Sequence, residues 1–271
     1  DTYASSEKRN EVLSTYADQC VHNISGEQIR VDIDTLVADL REKADWYAQF
    51  IRNHEWVSDE EGRGWFNGYY DNSGRQVEGV IDGNVRMMLT GQVFSIMGNV
   101  ADDAQVKSIT ESADKYLYKK DIGGYRLNTD FKEEKFDLGR MFGFAYGEKE
   151  NGAVFSHMTV MYANALYQRG FVREGYKALY TLLGQAMDLE VSRMYPGIPE
   201  YFDAQGCGKY PYLTGAASWY MMTVVTQIYG FRGLWGDLMI EPKILLEQFD
   251  TEENFSAEIP YRGQTFSVVY Q

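Results

Sequence analysis

Cysteine is scarce in this chain, and the two that occur, Cys20 and Cys207, lie far apart without metal-ligand spacing. They read as reduced thiols of a cytoplasmic protein and give no support to a zinc site. No apolar run approaches the length of a membrane span, and the opening Asp1-Thr2-Tyr3-Ala4-Ser5-Ser6 has neither the charged nor the apolar region of a signal peptide. Basic residues are also short. Lys and Arg total 26 against 40 for Asp and Glu, a formal charge of −14, which repels phosphodiester backbones and anionic membrane surfaces at long range. Nucleic acid and membrane are therefore not expected as partners. What the chain does have is apolar and aromatic mass, 44% and 15% of 271 residues, enough for one large domain with a sizeable core.

Helical periodicity dominates. Ile33, Leu36, Val37, Leu40, Ala44, Tyr47 and Ile51 recur at three- and four-residue steps behind Asp32 and Asp34, either of which can cap a first turn. A second run is expected from near Asn84 through Val85, Met88, Leu89 and Phe94. A third follows the pair Asp102-Asp103 and carries Val106, Ile109, Ala113 and Leu117. Further helices are predicted over 158–168, 173–187 and 215–228, with Gly170 and Gly230 ending the first and last. Long aromatic and glycine-bearing connections, 64–83, 123–156 and 195–213, separate the pairs, and such loops on a rigid scaffold are where binding groups are found. The end of the chain changes period: 255–270 reads as a two-stranded hairpin, which needs support from the helical body or from further strands.

Three stretches carry chemistry. The first is Gly64-Trp65-Phe66-Asn67-Gly68-Tyr69-Tyr70-Asp71-Asn72. Aromatic faces stack on the C–H faces of pyranose rings, glycines admit close backbone approach, and a carboxyl held among rings can keep its proton near neutral pH. Asp71 is the candidate general acid; alternatively, 69–74 is an ordinary turn with Asp and Asn serving the backbone. The second is Lys149-Glu150-Asn151-Gly152-Ala153-Val154-Phe155-Ser156-His157, where His157 can donate to phosphate and Glu150 can accept from sugar hydroxyls, or His157 can pack at the start of its helix. The third is Tyr210-Pro211-Tyr212-Leu213-Thr214-Gly215-Ala216-Ala217-Ser218-Trp219. A threonine and small residues opening an apolar helix offer amides, a hydroxyl and the positive dipole end to an anion, or a plain helix cap.

In order and spacing these stretches resemble the cellobiose, cellodextrin and chitobiose phosphorylases, inverting glycoside phosphorylases of glycoside hydrolase family 94. The most specific parts are Lys149-Glu150-Asn151-Gly152 with His157, and Leu213-Thr214-Gly215. The usual acid motif Asp-Trp-Asn-Asp-Gly is here Trp65-Phe66-Asn67-Gly68-Tyr69-Tyr70-Asp71-Asn72, a variant similar to the branch acting on β-1,2-oligoglucans. The resemblance implies an all-α, (α/α)6 toroid, with 1–253 as part of it and 254–271 starting a β segment. It implies inorganic phosphate as co-substrate with no other cofactor and no metal. Asp71 would protonate the leaving glycosidic oxygen, while His157, Thr214 and Gly215 would hold phosphate on the opposite face of the sugar. Glu150 and Glu200 would bind sugar, and Trp65, Tyr69 and Tyr70 would line the acceptor side. It further implies a chain that is part of a longer polypeptide, partnered by the remainder of the catalytic domain, by a complementary chain or by a second copy. Two other functions stay open: an inverting hydrolase in which Glu78 or Glu200 activates water, and a carbohydrate-binding subunit without turnover.

Overall fold

A computed structural model describes residues 5–21, 28–194, 197–211 and 214–271. Tyr212 and Leu213 of the third stretch, and the opening residues 1–4, lie outside the described residues. Two compact units divide at Trp46 and Tyr47. In the first, α1 (Ser6–Gln19) is capped by the Ser5 hydroxyl, which accepts from the Lys8 amide. Helix α2 (Ile33–His54) begins there and continues into the second unit. Asp32 accepts from the Thr35 amide and hydroxyl, and so acts as the cap its position predicts.

The second unit holds the core. Its helices are α3 (Leu89–Met97), α4 (Asp103–Tyr116), α5 (Ser156–Gln168), α6 (Val172–Met187), the short α7 (Leu189–Ser192) and α8 (Ala216–Thr223). Helix α5 is apolar on nearly every side, burying Val160, Tyr162, Ala163, Ala165, Leu166 and Tyr167, and such a helix belongs at the centre. It packs against α3, α6 and α8. Helix α4 opens with a full capping box, Asp102 accepting from the Gln105 amide while the Gln105 side chain accepts from the Asp102 amide. Helix α8 continues as a π turn over Val224–Ile228.

Short hairpins decorate this helical body, beyond the one terminal β segment that was expected. Strands β1 (Trp56–Ser58) and β2 (Gly64–Phe66) pair antiparallel, as do β3 (Gly79–Ile81) and β4 (Asn84–Arg86), and β5 (Tyr118–Lys119) and β6 (Gly124–Tyr125). Strands β7 (Val154–Phe155), β8 (Tyr201–Phe202) and β9 (Gly208–Lys209) form one sheet. Strands β10 (Phe231–Leu234) and β11 (Asp237–Ile240) make another hairpin. Asn84 and Val85 are thus in a strand, not at a helix start: Asp82 and Gly83 both take positive φ, 52° and 74°, and close a two-residue hairpin, so α3 begins only at Leu89. The last pair, β12 (Phe255–Tyr261) and β13 (Gln264–Tyr270), is the predicted terminal hairpin. It leans on the residues that follow α8. Phe255 stacks on Tyr229, Phe266 meets Phe231, and Ile259 is buried. No helix among the described residues is long and apolar enough to cross a membrane.

Candidate active site

The loop from Gly64 to Glu78 is held at its base by buried polar side chains. Gln92 of α3 clasps Phe66, its carbonyl accepting from the Phe66 amide and its NH2 donating to the Phe66 carbonyl, both at 2.8 Å. Asn67 accepts from the Val77 and Glu78 amides at 3.1 Å and donates to Glu55 at 3.0 Å. Trp65 is 0% exposed, its indole N–H donating to the Arg86 carbonyl. It therefore offers no face to a sugar, and its expected role in substrate stacking is corrected to one in the core. Tyr69 and Tyr70 keep that capacity, at 43% and 47% exposed. The Tyr69 hydroxyl donates to the Leu138 carbonyl and the Tyr70 hydroxyl to Glu55.

Asp71 closes the loop's turn. One carboxylate oxygen accepts from the Ser73 and Arg75 amides at 2.9 and 3.0 Å, and the other accepts from Arg75 Nε at 2.8 Å. The Arg75 amide first, then the Arg75 guanidinium and the Ser73 amide, hold the carboxyl below its usual range, so in this state it is ionised. The arrangement is not peculiar to the loop. Asp59, Asp203 and Asp250 likewise accept from the amides two and four residues on. Glu78 contrasts with all of them: it is 2% exposed, and burial, opposed by the Met88 and Gly68 amides, pushes it up to about 8.

The second and third stretches meet. Strand pairing of β7 with β8 sets Ser156 at the head of α5, its amide donating to the Glu200 carbonyl. His157, in the first turn of α5, sits beside the start of α8. A Cβ added to Gly215 would lie 2.9 Å from His157 Cε1, and the imidazole is 5.8 Å from the Trp219 ring. Gly215 has an ordinary φ of −81°, so glycine is needed there for room rather than for conformation. His157 Nε2 is buried with no hydrogen-bond partner among the described residues, and burial lowers its pKa. The ring is therefore neutral near pH 7 with one nitrogen unspent, in a fold where buried polar atoms are normally paired. The Thr214 hydroxyl accepts from the Ala216 amide at 3.2 Å, which leaves its own proton to donate.

The two carboxylates expected to bind sugar, Glu200 and Glu150, each meet a cation. Lys149 Nζ lies 3.2 Å from Glu200 and 3.7 Å from the centre of the Tyr210 ring. Glu150 meets Arg140 Nε at 3.3 Å through one oxygen, while its other oxygen is buried and unpartnered among the described residues. Sequence reasoning placed Glu150 and Glu200 near the site and missed Arg140, which arrives from a connection with no periodic signal. That connection also touches the Asp71 loop, through Leu138 and through Asp137, whose carbonyl accepts from Asn72. No direct contact joins Asp71 to His157 among the described residues. Glu78, with both oxygens taken by amides, and Glu200, paired with Lys149, are poorly placed to activate water.

Comparison with known proteins identifies the family. Residues 33–230 match the glycosyl hydrolase 94 superfamily, catalytic domain. The chain is similar to the cellobionic acid phosphorylase of Neurospora crassa, at 24% identity over 68% of this chain and 24% of the relative. It is also similar to the solabiose phosphorylase of Paenibacillus borealis, at 22% identity over 85% of this chain and 30% of the relative. It thus spans less than a third of the length of these curated relatives. With a family match that runs from α2 to the end of the π turn and takes in all three chemical stretches, the chain belongs to the glycosyl hydrolase 94 superfamily, as part of its catalytic domain.

Proposed function

We propose that this chain supplies the phosphate cradle and part of the sugar site of an inverting glycoside phosphorylase, which converts a β-linked gluco-oligosaccharide and inorganic phosphate to α-glucose 1-phosphate and a shortened sugar. The observation that carries this is the convergence of His157 and Gly215, with an unpartnered, buried imidazole nitrogen between two helix starts. A neutral imidazole, a hydroxyl and the amide end of α8 make a donor set for an anion. Phosphate arrives already nucleophilic, so the reaction asks for one acid and a means of alignment and has no need of a second carboxylate to activate water. The poor placement of Glu78 and Glu200 for that second role favours phosphorolysis over hydrolysis, as do the names of both relatives, each a phosphorylase.

In this reading Glu150, through its unpartnered oxygen, and Glu200 receive sugar hydroxyls, and Tyr69 and Tyr70 line the acceptor side. Asp71 is the acid. To hold a proton it must first lose Arg75, whose 73% exposed side chain is able to swing into solvent. The helices complete an (α/α)6 toroid with the rest of the catalytic domain, and the loop variant at 65–72 points to β-1,2-oligoglucan as substrate. Product analysis on the natural polypeptide tests the proposal. Sugar 1-phosphate of the α anomer should form from β-1,2-oligoglucan only when inorganic phosphate is supplied; release of free glucose at the same rate without phosphate overturns it.

A further inference from the structure

Glu78 is a buried carboxyl that the reaction above does not use. Its two oxygens accept from backbone amides that are twenty residues apart in sequence: Oε1 from Gly68 at 2.9 Å and Oε2 from Met88 at 2.7 Å. Gly68 lies three residues before Asp71, and Met88 immediately precedes α3. The slot it fills is made by glycine. A Cβ on Gly68 would fall 3.2 Å from Gly91 Cα and 3.3 Å from Glu78 Oε1, and one on Gly91 would fall 3.4 Å from Gly68 Cα. Two glycines from separate segments are thus brought close, with a carboxyl wedged beside them. Its own backbone is fixed as well, because the Glu78 amide donates to Asn67.

We propose that Glu78 is a positioning residue: it sets the Asp71 loop against the amino end of α3 and thereby fixes where the loop's carboxylate and tyrosines stand over the sugar. The proposal rests on the phosphorylase reading for its catalytic consequence, but the geometric part stands without it. A carboxyl that served packing alone would have no reason to span two amides, since an apolar side chain of like volume fills such a slot without a buried polar group to satisfy. Glutamine keeps the shape but turns an NH2 group toward one of the two amide donors, so one anchor is lost and the other kept. Alanine at Gly68 disturbs the same junction from the other side with no change of charge.

The test compares the natural polypeptide with its Glu78→Gln and Gly68→Ala variants. Amide hydrogen exchange is expected to speed up at least tenfold at residues 66–72 and 87–89 in both variants while α5 and α6 stay protected. On the phosphorolysis assay, kcat is expected to fall at least tenfold with the KM for phosphate within twofold. Unchanged exchange at 66–72 in a folded Glu78→Gln protein overturns the proposal, as does parental kcat in that variant. Faster exchange spread evenly over α5 and α6, or a phosphate KM that rises in step with the loss of kcat, also overturns it by making the effect one of general stability. A parent that forms no sugar 1-phosphate refutes the phosphorylase reading, and the exchange pattern then decides the positioning role by itself.

Discussion

Asp71 and Glu78 are separated by seven residues and sit in opposite electrostatic states. Asp71 is bonded to two amides and a guanidinium and is held ionised, whereas Glu78 has two amides and no described cation beside it, and burial wins. The folded chain keeps the Glu78 proton to about pH 8, while an unfolded glutamate releases it near 4.5. Between those limits the folded state binds more protons than the unfolded one, so this group's contribution to stability falls as pH rises, by about 1.4 kcal/mol per unit. Other carboxyls act in the opposite sense, so the readout is a difference. Denaturant unfolding at pH 5.5 and 7.5 should show the parent losing more stability across that interval than Glu78→Gln does; equal losses would place the Glu78 pKa near its ordinary value. For Asp71 the informative change is to asparagine. Its carbonyl oxygen still accepts from the Ser73 and Arg75 amides, so the turn persists, while the proton is gone. Turnover by the natural polypeptide should drop by about two to four orders of magnitude with the melting temperature little changed. Preserved turnover would leave Asp71 with the same duty as Asp59, Asp203 and Asp250.

At the scale of elements, those four aspartates mark a device the chain uses repeatedly. In each, the fourth residue of an Asp-x-x-Gly-x or Asp-x-x-Glu-x run has positive φ and its amide donates to the aspartate carbonyl: Gly62, Gly74, Gly206 and Glu253. Gly62 has open space where a Cβ would go, whereas at Gly206 a Cβ would fall 2.6 Å from Gln185 Nε2 and 3.1 Å from the Asp121 carbonyl oxygen. Gly62→Ala should therefore cost only the left-handed strain, about 1 kcal/mol, and Gly206→Ala distinctly more, as read from urea midpoints; equal costs would make packing at 206 irrelevant. The same turns explain what could be read from the sequence and what could not. Helices α4 and α6 announce themselves because ten or more residues repeat an apolar period, α5 because its apolar stretch is longer than a strand and ends at Gly170, and the Asp102 cap fixes where α4 starts. Strands of two to four residues are too short for alternation to register, so β1 to β11 escape it. Their signal lies in the turns: Asp82-Gly83, Trp235-Gly236 and Arg262-Gly263 each put two positive-φ residues in a two-residue loop. Of the site, the motif residues around His157 and Gly215 were legible as types. That Gly215 is small to make room for an imidazole, and that Trp65 turns inward, depends on contacts between segments some sixty and twenty residues apart, which no local pattern encodes.

For the molecule as a whole, the question is how a chain of formal charge −14 would receive phosphate at the proposed cradle. The donors of the proposed cradle, His157, Thr214 and the start of α8, are neutral, and Lys149, the cation of the second stretch, is already paired with Glu200. Attraction is therefore short in range and made of hydrogen bonds, while the long-range field opposes approach. Salt separates these two contributions. Screening is weak at about 0.01 M ionic strength, where the Debye length is about 30 Å, and strong at 0.15 M, where it is about 8 Å. Phosphate binding to the chain should accordingly tighten as an inert salt is raised over that range, the reverse of a site built on lysine and arginine. The measurement is thermal unfolding at fixed pH with phosphate varied at each salt level. A ligand that binds only the folded state stabilises it by about 2.7 kcal/mol at a hundredfold excess over Kd, so the melting temperature should rise with the logarithm of phosphate concentration, and the concentration needed should fall as salt increases. His157→Ala should abolish that rise at both salt levels. If added salt weakens the phosphate effect instead, the anion is held by basic side chains, and the neutral cradle between α5 and α8 is not where it binds.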